Sequence, residues 1–394
     1  MIRLFLALVA ASLAAGPIHA QVALSPGTPS ILFWTPQQQS EWYRHIETVY
    51  RVETVARGER VHPLSSAGRT IDPTFSFAGR TYTVADYMDA YKVSGLLVLR
   101  DGKVVLERYG MGRKPTDRWT SFSVAKSITS TLVGAAIQDG RIKSLSSQVT
   151  DYIPELKGSA YEGVTVRQLL MMSSGVRWNE DYADPNSDVA RAGVVGAGLA
   201  SSVPGMNPIV AYMRTLPRAN APGAYFNYNT GETDLVGILV SKATGKGLAA
   251  YASEKIWKPY GMERDALWVV DGAGQERGGC CISMTLRDYG RFGQFMLDGG
   301  MARDRPVLPP DWAVEATSKQ IDNGQQGLGY GYFWWMGPGG AYQATGIFGQ
   351  SITTFRQDRV VIVINSAWPR ATGRDLSAAR AALIEALHKA AVEP

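Results

Sequence analysis

The stretch at residues 123–139 constrains the fold more than any other. Val124, Ile128, Leu132 and Val133 recur at helical spacing, Ala135, Ala136 and Ile137 fill further faces, and Gly140 ends the run. A helix that is apolar on most sides has no face to give to water, so it belongs at the centre of the molecule with other elements packed around it. Enclosing it takes a substantial core, which a chain of 394 residues, 45% of them hydrophobic, is able to supply.

The enclosing elements come in an informative order. Leu96-Leu97-Val98-Leu99 and Val104-Val105-Leu106 flank Arg100-Asp101-Gly102-Lys103, and Asp-Gly between β-rich runs is a hairpin signal. Residues 141–280 read as helices and loops, with helical segments at 166–172, 209–216, 232–244 and 248–257 and little strand signal. A helix at 286–297 follows, then strand-like runs at 330–336, 352–356 and 360–365, and a closing helix at 376–391. This order predicts an α/β (α+β) fold. One sheet is built from residues 91–140 and 281–394, a mostly helical region at 141–280 is inserted, and the active site lies between them. Residues 21–90 mix Pro, Gln and Ser with few periodic runs and read as an irregular leader packed on the body.

Residues 1–20 place Arg3 ahead of an apolar run, a Gly-Pro break and the small Ala20, the pattern of a secretory signal peptide cleaved after Ala20. The competing reading is an uncleaved anchor, although the run is shorter than the roughly 20 residues that span a bilayer. The expectation is a soluble secreted or periplasmic protein without stable membrane insertion. A net charge of +5 is scattered without basic runs, which argues against nucleic-acid and membrane-surface partners. Cys280 and Cys281 are adjacent and are the two cysteines of the chain, so a disulfide-dependent scaffold is excluded. They read as two small buried hydrophobes, with a redox-active pair as the alternative. His45, His62 and His388 are far apart and in no ligand spacing, so neither a metal nor another cofactor is implied.

Three segments carry candidate chemistry. In the first, Ser123 and Lys126 are i and i+3 at the start of the central helix, which puts a hydroxyl and an ammonium on one face. A buried lysine loses its charge easily and can accept the serine proton, while free N–H groups at the helix start can hold an oxyanion. In the second, Pro222-Gly223 leads through an aromatic loop to Tyr228, whose phenol could share a proton with the lysine. In the third, Gly346-Ile347-Phe348-Gly349-Gln350 closes a strand; Gly346 lets the backbone come close to a ligand, and the Ile347 N–H could complete the oxyanion hole. Each segment alone also reads as ordinary structure: a capped helix, a half-buried tyrosine, a tight turn. Trp178, Trp334 and Trp335 either line an acyl pocket or fill core. No G-x-S-x-G elbow and no phosphate-binding loop is present.

Taken together, Ser123-Val-Ala-Lys126, the Pro-Gly segment ending in Tyr228 and the Gly346–Gln350 segment resemble the serine β-lactamase and penicillin-binding-protein superfamily. Within it the chain is most similar to class C-like esterases and 6-aminohexanoate-dimer hydrolases over about residues 90–370. The resemblance implies a β-lactamase/transpeptidase-like fold with an antiparallel sheet flanked by helices. It also implies an acyl-enzyme on Ser123, Lys126 as its base, Tyr228 as proton relay, and Ser123 and Ile347 N–H groups as the oxyanion hole. Tyr182, in Trp178-Asn-Glu-Asp-Tyr182, matches a tyrosine that contacts the substrate amide. Thr230 stands where β-lactamases carry Asn, and Ala344 where they carry Lys. These two departures favour a small linear ester or amide as substrate over a β-lactam. A β-lactamase, a D,D-peptidase and a catalytically silent binding protein on the same scaffold are the alternatives.

Overall fold

The computed structural model describes residues 30–199 and 203–393, so the segment read as a signal peptide lies outside the described residues. Its centre is a six-stranded antiparallel sheet in the order Trp335–Met336, Ala341–Gly346, Gln350–Phe355, Val360–Ser366, Val93–Arg100, Lys103–Tyr109. Early and late parts of the chain meet where Leu97 pairs with Val363 and Val98 with Ile362. The hairpin between the two early strands turns at Asp101 and Gly102, both at positive φ, which is what a two-residue turn matched to strand twist requires.

Alternation along the paired strands gives the sheet two apolar faces. Leu97, Leu99, Val361 and Val363 point into the main core with the central helix, while Leu96, Val98, Ile362 and Ile364 pack against the C-terminal helix Arg374–Val392. The central helix runs Val124–Gln138, and every residue from Val124 to Ala136 is buried. Helix Thr230–Thr244 packs beside it, within one continuous core. Among the described residues, no helix is long and apolar enough to cross a membrane.

Three readings of the sequence are corrected here. Residues 30–90 are not irregular: they carry helices Pro36–Trp42 and Val84–Ala90, and strand Val52–Val55 joins a second sheet in the order Val52–Val55, Ala266–Val269, Ile282–Thr285, Arg118–Thr120. Strand Ala266–Val269 lies inside the region read as helical, because four residues are too few to show a period. The strand read at 330–336 shortens to Trp335–Met336. Upstream of it the backbone is bonded elsewhere, Tyr332 N–H to Ala316 O and Phe333 N–H to Leu170 O.

Helix Leu286–Leu297 lies on the inner sheet face through glycines. A Cβ at Gly293 would come within 2.5 Å of Val361 Cγ1 and 2.9 Å of Ile352 Cγ2. Gly293→Val therefore forces the helix off the sheet. We expect a loss of about 1–3 kcal/mol and a melting temperature lowered by several degrees, the usual range for overpacking in a close-packed core. A thermal melt matching the parent protein would contradict this packing.

Candidate active site

Ser123 sits at a sharp strand-to-helix corner. Strand Arg118–Thr120 ends, Phe122 adopts φ 45°, and the central helix begins with Ser123 as its N-terminal flanking residue. A left-handed phenylalanine is a strained conformation that surrounding contacts must impose. They do so through aromatic packing. The Phe122 ring meets Tyr43 edge-on at 5.1 Å and Phe348 at 5.2 Å, and Phe348 is itself left-handed at φ 58°. The Ser123 side chain caps nothing, which leaves its hydroxyl free to face the site.

Across from this corner, Gly346 ends its strand directly against the serine turn. A Cβ there would lie 2.6 Å from Ser121 O and 3.1 Å from Ser123 N, so only glycine permits the approach. Ile347 follows, which sets the Ile347 backbone beside that of Ser123.

One turn into the helix, Lys126 is 1% exposed and has three neighbours. Its Nζ lies 3.1 Å from Ser123 Oγ, 3.0 Å from Thr230 Oγ1 and 2.7 Å from Gly279 O. Burial lowers its pKa to about 8, partly opposed by the negative charges of Glu180 and Asp234 and reinforced by Arg277. The Gly279 carbonyl is held in place by a buried ion pair one turn along helix Thr230–Thr244. Asp234 accepts from the Gly279 N–H at 2.9 Å and binds Arg277 at 2.7 Å.

Tyr228 lies beside both the serine and the lysine. Its phenol lies close enough to Ser123 for that side chain to lower its pKa slightly, and Lys126 Nζ stands over its ring, 5.3 Å from the centroid. Burial, and then the nearby Glu180 charge, push this phenol far above its ordinary value, so it stays protonated and can only relay a proton. The loop carrying it is fixed from both ends. Asn227 N–H donates to Met172 O at 2.7 Å, and the Asn229 side chain caps the following helix. The ring stacks on Trp335 at 5.3 Å and meets Tyr330 edge-on.

Glu180 is the residue that the sequence reading passed over. Its carboxylate accepts from the Trp178 indole, from the Tyr182 phenol at 2.7 Å, from the Thr230 N–H at 3.0 Å and from the Thr230 hydroxyl. Tyr182 and Trp178 are thereby brought to the site. The Thr230 side chain turns out to be a bridge between Glu180 and Lys126, with its hydroxyl already engaged on both sides, instead of a free substrate contact. Trp334 is also corrected. It is wholly buried and stacked on Phe292, so it fills core, and Trp335 alone of that pair borders Tyr228. No spacing rule marks a glutamate in a polar loop or a backbone carbonyl such as that of Gly279.

Cys280 and Cys281 directly follow Gly279 and are bonded to each other, so the reading of two plain hydrophobes does not hold. They wall a cavity of about 550 Å³ together with Ile31, Arg51, Val194 and Val269. The segment that anchors Lys126 is therefore also part of the wall of a ligand-sized space.

Comparison with known proteins agrees with this geometry. A family model described as Beta-lactamase matches residues 82–387. Over 358 residues the chain is 31% identical to a 6-aminohexanoate-dimer hydrolase from Paenarthrobacter ureafaciens, spanning 87% of this chain and 89% of that protein. A solved structure from Bacillus anthracis, provisionally named a 6-aminohexanoate-dimer hydrolase, superposes with a TM-score of 0.80 at 24% identity, over 89% of this chain and 94% of that one. A family VIII carboxylesterase superposes with a TM-score of 0.60 at 17% identity, over 78% and 95% of the respective chains. The two superpositions bear on the fold, and the matched family spans most of the sequence: the chain belongs to the beta-lactamase family and is a serine hydrolase of that fold.

Proposed function

We propose that the protein is an exported hydrolase, secreted or periplasmic after cleavage at Ala20, that opens linear carboxylic ester or amide bonds through an acyl-enzyme on Ser123. The observation that carries this reading is the 3.1 Å contact between Ser123 Oγ and a buried Lys126 whose pKa is lowered to about 8. Neutral Lys126 takes the serine proton as Oγ attacks the substrate carbonyl. The Ser123 and Ile347 N–H groups hold the oxyanion. Tyr228, a neutral phenol beside Ser123 and Lys126, passes the proton to the departing oxygen or nitrogen, and water then hydrolyses the ester on Ser123.

The linear-substrate preference has separate support. Ala344 is a small apolar side chain buried in its strand, and the Thr230 hydroxyl is committed to Glu180 and Lys126. Neither offers a group to hold the carboxylate of a β-lactam. The relative from Paenarthrobacter ureafaciens is named for a linear amide substrate, which points the same way. Tyr182, next to Thr230, would steady the amide nitrogen while it is protonated.

Two measurements check this reading. In a side-by-side assay of a short-chain aryl ester, a linear aminohexanoate amide and a chromogenic cephalosporin, kcat/KM for the first two should exceed that for the third by at least about tenfold. In the same assay Tyr182→Phe should lower amide turnover about tenfold and leave the aryl ester within about twofold. A cephalosporin preference, or equal losses on both linear substrates, would overturn the assignment. The second measurement is the pH profile. Because only the neutral amine accepts a proton, kcat/KM should fall about tenfold per pH unit below about 8 and level off above it. A flat profile between about pH 6 and 9 would exclude Lys126 as the base.

A further inference from the structure

The hydrogen bonds around Lys126 fix more than its position. Glu180 Oε1 accepts the Thr230 and Tyr182 hydroxyls, and Oε2 accepts the Thr230 and Trp178 N–H groups. A carboxylate only accepts, so the proton of the Thr230 hydroxyl is committed to Glu180. Thr230 Oγ1 can then face Lys126 Nζ only as an acceptor. The Gly279 carbonyl, Lys126's nearest neighbour, is likewise only an acceptor.

A neutral amine carries two N–H bonds and one lone pair. With Thr230 Oγ1 and Gly279 O taking the two N–H bonds, the lone pair is left for the third neighbour, the hydroxyl of Ser123. We propose that Glu180, acting through the Thr230 hydroxyl, is the positioning residue that turns the lone pair of Lys126 onto the Ser123 proton. It plays toward the lysine the part that an orienting carboxylate plays toward a histidine base. The proposal rests on Lys126 being the base of the preceding reading and adds the group that aims it.

Other groups face the same pocket. Asp234 and Arg277 act on Lys126 from helix Thr230–Thr244 and the segment leading to Gly279, and the Tyr228 ring lies beside Nζ. Tyr182, Tyr228 and Tyr330 all feel the Glu180 charge, and each phenol is held above its ordinary value. Lys126, with its pKa lowered to about 8, is the group among these that changes protonation near neutral pH; Glu232, two residues beyond Thr230 and raised by burial to about 8, is held away from Nζ by its bonds to Ser174 and Tyr161. The Glu180 charge favours its protonated form.

Replacing Glu180 by glutamine keeps the shape and offers one acceptor oxygen to donors that now occupy two. The amide NH₂ would face donors or push the Thr230 proton toward Lys126, which occupies the lone pair. Two effects of opposite sign follow. The rate falls because the base is misaimed, and the acid limb of the pH profile moves to lower pH because a negative charge near Lys126 is gone.

The test uses the purified full chain with a short-chain aryl ester, comparing wild type with Glu180→Gln, Thr230→Val and Thr230→Ser. The expected result is a kcat loss of roughly 100-fold in Glu180→Gln and Thr230→Val with KM changed by no more than about threefold. The acid limb of Glu180→Gln should shift downward, and Thr230→Ser, which restores the hydroxyl, should recover most of the rate lost in Thr230→Val. Wild-type kcat in Glu180→Gln, or an unmoved acid limb together with an equally impaired Thr230→Ser, would overturn the proposal. If Glu180→Gln does not fold, the contrast between the two Thr230 variants decides. Labelling of wild-type Ser123 by a fluorophosphonate is run alongside. Its absence removes the underlying base assignment, whereas labelling combined with an indifferent Glu180→Gln removes the positioning role alone.

Discussion

The structure depends on one costly placement: the amine of Lys126, one turn into a helix buried along nearly its whole length. An ammonium removed from water is strongly disfavoured unless it is paired or gives up its proton. Here three oxygens surround it, none belonging to a directly bonded carboxylate, and its pKa falls to about 8. Each oxygen comes from a different part of the fold. Ser123 belongs to the helix corner, Thr230 to the start of helix Thr230–Thr244, and Gly279 to the segment leading into the second sheet. The amine is thus a joint between three distant segments of the chain as well as the group proposed to do the chemistry.

Rigid packing holds that joint. The strained Phe122 conformation is imposed by Tyr43 and Phe348, so residues near both ends of the chain converge on the corner that presents Ser123. Asp234 and Arg277 set the Gly279 carbonyl, and Met172 and Asn229 set the loop of Tyr228. Such arrangements are preorganised: the dipoles are aimed before substrate arrives, and little reorganisation is left for the reaction itself.

Much of this was legible in the sequence where a physical period or a special residue marks it. The apolar run at 123–139 placed the central helix, and Asp101-Gly102 placed the hairpin through its demand for two positive φ values. Order along the chain then implied one sheet from two distant parts. The illegible parts share a cause. Ala266–Val269 is too short to show alternation, and Trp334 and Trp335 are adjacent yet end in opposite environments, core and site. Glu180 has no pattern of its own, since its importance comes from four donors that tertiary structure gathers. The bond between Cys280 and Cys281 was likewise open from spacing alone.

The central claim is that Ser123 Oγ, next to a buried lysine of lowered pKa, is the atom that becomes acylated. Intact-mass analysis of the protein after treatment with a fluorophosphonate, followed by peptide mapping, tests it most directly. The account predicts one added label on the peptide containing Ser123 in the wild type, and none in a folded Ser123→Ala variant with unchanged thermal stability. An unlabelled wild type, or a Ser123→Ala variant that labels as fast as the parent, would contradict it.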